Sequence, residues 1–322
     1  MMNELKYVYE VYQERSFSKA AKKLYITQPA LSAMVKKAEM EIGQPIFDRS
    51  TIPLTLTDAG RYYIASAKNI LFIQKNMTSY FQDLQHLQTG HLSIGGSSFF
   101  CTYVLSKQVG RFQKRYPGIT IDMVESNVQE LKKRVADDTL NLIMETAFFD
   151  NDHLKKYFCY YEDILLGVPA SFEINRGLEK YALSFRDVCE KKHEDPTFPA
   201  APLQFFKDLP FLMLKEGNDL YYRGISICQN AGFHPRIVIK LDQILTAFHI
   251  ACTGAGAVFL RASMHPYLPM TNQLVYYKLS DPLARREVYL AHKQGCYVTN
   301  AMAAFLKMSG VKDTQGFQKK KI

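Results

Sequence analysis

Apolar side chains return every three or four residues along the start of the chain, and the breaks between these runs fall on capping residues. Leu5, Val8, Tyr9 and Tyr12 share one helical face and predict a helix over residues 4–14. Ser16 and Ser18 can cap a second short helix, in which Ala20, Ala21 and Leu24 make a face small enough for another helix to cross closely. After a turn at Tyr25-Ile26, Thr27 suits the N-cap of a third helix, and Pro29 falls in its first turn, where a missing N–H costs nothing. That helix is expected to stop at Gly43. Leu31, Val35, Ala38 and Ile42 would face inward, and Gln28, Ala30, Ser32, Ala33, Lys36 and Lys37 outward. Two helices so spaced, the second with a short polar and basic face, read as a helix-turn-helix. Ile46 and Phe47, opposite Leu54 and Leu56 across a polar turn, predict a short hairpin, or wing.

From Thr57 to about Gln88 there is no proline, and glycine stands only at 60. Tyr63, Ala67, Ile70, Met77, Phe81 and Leu84, with Gln74 completing the spacing, predict a long helix whose seam needs a partner; Thr89-Gly90 would end it. Beyond it, strands are predicted at 91–95, 119–124 and 140–144, with helices at 99–116 and 129–137 between them. This β-α-β-α-β order implies a parallel sheet covered by helices. A strand over 163–168 and a polar, irregular stretch over 173–208 follow. Then come strands at 210–214 and 236–239, a helix from 219 and a helix over 243–252. A strand entered through Gly254-Ala255-Gly256, late strands at 273–278 and 287–292 and a helix at 301–308 complete the chain. These late elements are expected to return to the first lobe, so that two lobes are joined by two crossings.

A length of 322 residues allows two or three folding units. The net charge of +9 permits nucleic-acid binding without proving it. Residues 1–60 carry a net charge of only +1, and part of the excess sits at Lys312 and Lys319 to Lys321, so pattern has to carry the argument. The six cysteines are scattered and form no C-x-x-C pair, which argues against a zinc ribbon or a disulfide framework. Reduced, buried thiols are expected, although Cys101 lies near a helix start, where a thiolate is favoured. The N-terminus is polar and no run of eighteen apolar residues occurs, so the expected location is the cytoplasm, with no membrane span. No G-x-S-x-G elbow, P-loop, H-E-x-x-H or full G-x-G-x-x-G is present. Enzyme chemistry is therefore not expected, nor is a cofactor; the dispersed histidines disfavour a metal site.

The ordered residues Ala20-Ala21-x-x-Leu24-x-x-Thr27-Gln28-Pro29-Ala30-Leu31-Ser32, Glu39-x-x-Ile42-Gly43, Ile46-Phe47-x-Arg49 and Leu56-Thr57-x-x-Gly60 resemble the DNA-binding signature of LysR-type transcriptional regulators. The resemblance implies that Thr27, Gln28, Pro29, Ala30, Ser32 and Lys36 face the major groove of double-stranded DNA and its backbone. Ala30 would meet a thymine methyl, Gln28 a base edge or phosphate, and Arg49 a phosphate or the minor groove. It also implies that long helices pair into a homodimer or homotetramer, with RNA polymerase as a downstream partner. Ala33 departs from the family's usual arginine or polar residue, and Ala38 from its usual leucine. Looser matches at Arg115-Tyr116-Pro117-Gly118-Ile119, Leu140-Asn141-Leu142-Ile143, Val168-Pro169 and Gly254-x-Gly256 imply an effector domain like a periplasmic binding protein. There Asn141 replaces a usual aspartate, Arg261 a usual proline, and residues 173–208 run longer than is typical.

The expected organisation is α/β overall. A winged helix-turn-helix would cover 1–58 and a linker helix 59–89. Effector lobe 1 would cover 90–167 and 269–311, lobe 2 would cover 168–268, and a basic tail 312–322. A small-molecule effector, most simply an organic anion, would lie between the lobes. Ser97, Ser98, Thr146, Asn218, Tyr222, Arg223 and Thr253 are its expected contacts, and Phe99 and Phe100 serve either an aromatic ligand or the core. The alternative is a soluble small-molecule-binding protein with a vestigial DNA head, against which the intact run 27–32 speaks.

Overall fold

The computed structural model describes residues 2–83, 90–146 and 153–311, and the chain divides into two compact units, residues 1–84 and 85–322. In the first unit α1 (Met2–Glu14), α2 (Phe17–Lys23) and α3 (Gln28–Ile42) precede a hairpin of β1 (Phe47–Asp48) and β2 (Thr55–Leu56), and α4 (Asp58–Asp83) follows. The caps act as their chemistry requires. The Ser16 hydroxyl accepts from the Lys19 amide, Thr27 accepts from the Ala30 amide, and Gly43 closes α3 in the left-handed region with φ 69°. Leu5, Val8, Val11, Ala20, Ala21, Leu31, Val35 and Ala38 form one core with Ile46 and Phe47, and Tyr63, Ile64 and Ala67 of α4 close it. Ile42 departs from expectation: it is 36% exposed, because α3 is ending there and the chain turns away at Gly43.

The second unit opens with β3 (Gly90–Gly96), a six-residue π-helix at Phe100–Leu105 and α5 (Ser106–Arg115). Next come β4 (Ile119–Glu125), α6 (Val128–Ala136) and β5 (Leu142–Thr146). β3 lies between β4 and β5 and pairs in parallel with both, as the β-α-β-α-β pattern required. Asn141 stitches β3 to β5: its Oδ1 accepts from the Ser93 amide and hydroxyl, both at 2.9 Å.

β6 (Leu154–Pro169) is far longer than the strand expected over 163–168. Its mixed Lys and Tyr sequence hides the first half, which is a strand because β12 (Arg285–Lys293) lies antiparallel against it. The second half of β6 belongs to another set of strands. That set contains β7 (Ala182–Leu183), β8 (Pro210–Leu214), β9 (Arg236–Leu241), β10 (Ala257–Arg261) and β11 (Leu274–Lys278). The order β6-β10-β8-β9 is flanked by α7 (Phe185–Cys189), α8 (Asp219–Asn230) and α9 (Ile244–Cys252). β11, expected with the first lobe, pairs instead with β6 at residues 165–169 and with β7. Its apolar run finds its antiparallel partner on the far half of the shared strand. Only β12 and α10 (Asn300–Met308) return, β12 to β5 and α10 to β3 and α5. The chain thus passes between the two strand sets at Asp163/Ile164 on β6, and again at the start of β12.

Among the described residues no helix is long and apolar enough to cross a membrane. Leu84, Gln88, Thr89 and the tail at 312–322, named in the sequence reading, lie outside the described residues.

Candidate functional site

In the first unit the side of α3 opposite its buried residues is open. Thr27, Gln28, Pro29, Ala30, Ala33 and Lys36 are exposed and Ser32 is half-buried. Gln28 Nε2 donates to Ser32 Oγ at 2.9 Å, which holds the amide along the helix face. The basic residues around α3 divide by partner. Lys37 pairs with Glu4, whose carboxyl it holds down at about 2, and Lys23 pairs with Glu10 and Glu14. Lys19, Lys22 and Lys36 have no ion pair among the described residues, so their charge is directed to solvent. Arg49 is drawn inward: its Nη2 donates to Glu39 Oε2 at 3.0 Å, and its guanidinium lies 5.1 Å from the Phe17 ring centre.

Glu39, which the sequence reading left as a motif position, organises the wing. Its Oε1 accepts from the amides of Ile46, at 2.9 Å, and Phe47, at 3.4 Å. Thr57 Oγ1 reaches the carbonyl of Pro45 at 2.6 Å and accepts from the Gly60 amide at 2.9 Å. A Cβ on Gly60 would sit 1.9 Å from the Ile46 carbonyl oxygen, so only glycine fits there.

The second unit holds a cleft between its two strand sets, enclosing about 510 Å³ of empty space counted out to its mouth. Four expected residues line it: Ser97, Ser98, Thr146 and Asn218. Phe99 and Phe100 line it too, and both also belong to the buried core. The other three expected residues are placed elsewhere. Arg223 is buried along α8, with Nε 3.0 Å from both Asp219 oxygens and Nη1 donating to the Leu283 carbonyl. The Tyr222 hydroxyl accepts from Gln129 Nε2 at 3.1 Å and from the Gly217 amide at 3.2 Å, linking α6 to α8. Thr253 ends α9, its hydroxyl turned back to the Ile250 carbonyl. Rotation along a helix decides these outcomes, and a helix start read from sequence does not fix it.

The charged floor of the cleft was not legible in the sequence. Arg286 donates to Glu162 and to Asp219, and Ser263 donates to Glu162. Burial alone would raise the Glu162 carboxyl, but the Arg261 and Arg286 guanidinium groups outweigh it and hold it below the ordinary range. Arg286 gains correspondingly, its guanidinium raised because Glu162 and Asp219 overcome the cost of burial. Arg261, 3.6 Å from the same carboxylate, is left with the weaker share, and burial brings it down to about 10. Its guanidinium carbon lies 4.3 Å from the ring centre of Phe99 and 4.5 Å from that of Phe100, against both rings. The available signal was an arginine closing an otherwise apolar strand, Ala257-Val258-Phe259-Leu260-Arg261. Cys101 does not offer a thiolate: burial pushes its thiol up to about 11, and the sulfur lies 3.4 Å from the Gly96 carbonyl.

A polar-faced recognition helix with a wing, and a two-lobed α/β unit with a charged cleft, define a one-component regulator, with DNA head and sensor in one chain. The description "Bacterial regulatory helix-turn-helix protein, lysR family" matches residues 2–61, and "LysR substrate binding domain" matches residues 85–310. The chain belongs to the LysR family of DNA-binding transcriptional regulators, proteins with an effector-binding domain. It is 27% identical over 308 residues to the uncharacterized HTH-type transcriptional regulator YcgK of Bacillus subtilis (strain 168), covering 95% of this chain and 92% of that one. It is 25% identical over 266 residues to the regulator BsdA of the same organism, covering 82% and 85%. Among solved structures, a full-length OxyR variant from Pseudomonas aeruginosa superposes with a TM-score of 0.64 at 20% identity, over 96% of this chain and 93% of that one. Full-length CbnR in complex with its target DNA superposes with a TM-score of 0.55 at 16% identity, over 96% and 99%.

Proposed function

We propose that this protein binds specific double-stranded DNA sites through α3 and its wing, and that a small organic anion in the cleft of the second unit controls that binding. The observation that carries the DNA reading is the division of α3: Leu31, Val35 and Ala38 are buried while Gln28, Ala30, Ala33 and Lys36 are exposed on the other side. Gln28 can read a base edge, Ala30 can meet a thymine methyl, and Thr27, Pro29, Ser32 and Lys36 follow the groove and backbone. Ala33 offers no hydrogen bond at its step. Arg49 is tied to Glu39 and supports the wing, with a half-exposed side chain that can still approach a phosphate. CbnR, solved with its target DNA, supports this reading by its fold.

Arg261, Ser97 and Ser98 at the cleft favour an anion. Closure of the two strand sets around it would shift the population of a homodimer or homotetramer, change the spacing of its paired DNA heads, and alter DNA bend and access for RNA polymerase in the cytoplasm. Fluorescence anisotropy on the DNA flanking the protein's own gene, with competitor DNA and a salt series, tests the DNA reading. Tight binding that weakens steeply with salt is expected, with a loss of about 10-fold or more for Gln28→Ala/Ser32→Ala. Weak binding, indifferent to sequence and to those substitutions, would overturn it.

A further inference from the structure

The cleft of the second unit is lined by five formally charged side chains, whose partners can be followed one by one. Asp242 accepts from Lys215 Nζ at 2.8 Å. Asp219 is shared between Arg223 and Arg286. Arg286 gives Nε, Nη1 and Nη2 to Glu162 and Asp219. Two groups of opposite sign have an ion pair but no hydrogen bond, Arg261 facing Glu162 Oε2 across 3.6 Å and Glu145 facing Lys132. Arg261 is 5% exposed, and its Nε and Nη1 are buried without a hydrogen-bond acceptor. Glu145, at the end of β5, is 2% exposed, and neither of its carboxylate oxygens has a hydrogen-bond donor. The Lys132 ammonium stands 3.6 Å from Glu145 Oε2, an ion pair longer than a hydrogen bond.

Buried polar groups are rarely left unsatisfied, and a ligand cleft is a place where an incoming molecule can complete them. On the reading of this cleft as the effector site, we propose that the effector is a small zwitterion of the free amino acid class, its carboxylate held by Arg261 with Ser97 and Ser98, its ammonium by Glu145. A plain carboxylate would satisfy Arg261 but bring a second negative charge toward Glu145 in a poorly solvated space, where like charges repel strongly. A plain amine would have the mirror-image conflict with Arg261. A zwitterion gives each of these groups the hydrogen-bond partner it lacks and adds no net charge to the interior. Burial raises the Glu145 carboxyl above the ordinary range, and Lys132 and Lys156 pull it back only in part. An incoming ammonium would complete that compensation. The phenyl rings of Phe99 and Phe100 lie against the Arg261 guanidinium, their centres 4.3 and 4.5 Å from its carbon.

Isothermal titration of the full-length protein with the twenty proteinogenic amino acids, each alongside its desamino acid and its decarboxylated amine, tests the proposal. At least one amino acid is expected to bind, about 10-fold or more tighter than either truncated partner, the scale of one charged hydrogen bond. Glu145→Gln should abolish the preference over the desamino acid, weakening the amino acid and tightening the desamino acid as the repulsion between the two carboxylates is relieved. Arg261→Gln should weaken both together; near-ultraviolet circular dichroism checks that each variant keeps its fold. A desamino acid that binds as tightly as its amino acid overturns the zwitterion and leaves the anion reading intact. An amine that binds as tightly overturns both. If no amino acid binds, the zwitterion falls, and the anion reading falls with it only if a panel of simple mono- and dicarboxylates also fails to bind.

Discussion

The Glu39 carboxylate gathers three donors that lie seven to ten residues further along the chain: the amides of Ile46 and Phe47 and the Arg49 guanidinium. The wing has just two paired positions, Phe47 with Leu56 and Asp48 with Thr55, so its approach to α3 is fixed by these donors together with the burial of Ile46 and Phe47. Thr57 and Gly60 complete the joint, one by bonding the Pro45 and Ile46 carbonyls, the other by having no Cβ. A motif read as a DNA signature thus largely encodes the seating of the wing. Glu39→Ala should cost the first unit about 2 kcal/mol, the scale for hydrogen bonds to a charged group, and weaken DNA binding while α3 stays helical. Hydrogen exchange at the Ile46 and Phe47 amides measures this directly. Unchanged protection there would refute the role given to Glu39.

At the scale of the element, α4 changes its surroundings along its length. Tyr63, Ile64 and Ala67 are buried in the core of the first unit, whereas from residue 70 onward none of its described apolar side chains is buried and most are exposed. Ile70, Met77 and Phe81, on its 4-3 apolar seam, are 37%, 55% and 60% exposed. Such a stripe fits the pairing of two α4 helices, with Gln74 exposed on the same seam. Burying each such side chain is worth about 2 kcal/mol, so Phe81→Glu should weaken self-association by at least about 30-fold. Helicity should stay unchanged, since the side chain makes little use of its own chain. Analytical ultracentrifugation across a dilution series decides the point, and an unaltered oligomer would place the interface elsewhere.

At the scale of the whole molecule, the response of the second unit to acid follows from where its histidines are buried. In the second unit His265 is fully buried between Phe185 and Tyr276, and burial holds its imidazole down at about 4 from an ordinary 6.5. Its Nδ1–H points to the Ala262 carbonyl at 3.0 Å, so the folded state keeps it neutral. The unfolded chain binds the proton first. Its contribution to stability is therefore complete above about pH 6.5 and is lost as the pH falls toward 4, in total about 3 kcal/mol. His193 and His292, both lowered by burial, act in the same direction. Hydrogen exchange in β11, followed from pH 7 to pH 4, should show this loss, and His265→Phe should flatten the slope. A slope that His265→Phe leaves unchanged would assign the acid sensitivity to other groups.

What the sequence determined by itself is local. Caps at Ser16 and Thr27, Pro29 in a first turn, Gly43 at a helix end and the period-3.6 faces of α1 and α3 are interactions within a few residues, so pattern alone reveals them. The first half of the second unit was legible for the same reason, its strands and helices alternating with short connections. Tertiary structure decided whatever depends on residues distant in sequence. The first half of β6 is a strand because β12 lies beside it, and β11 joins β6 and β7 rather than the first strands. The cleft brings Glu145, Glu162, Asp219, Arg261 and Arg286 together from five separate elements. No spacing rule links such positions, because the low dielectric that pairs their charges exists only once the chain has closed around them.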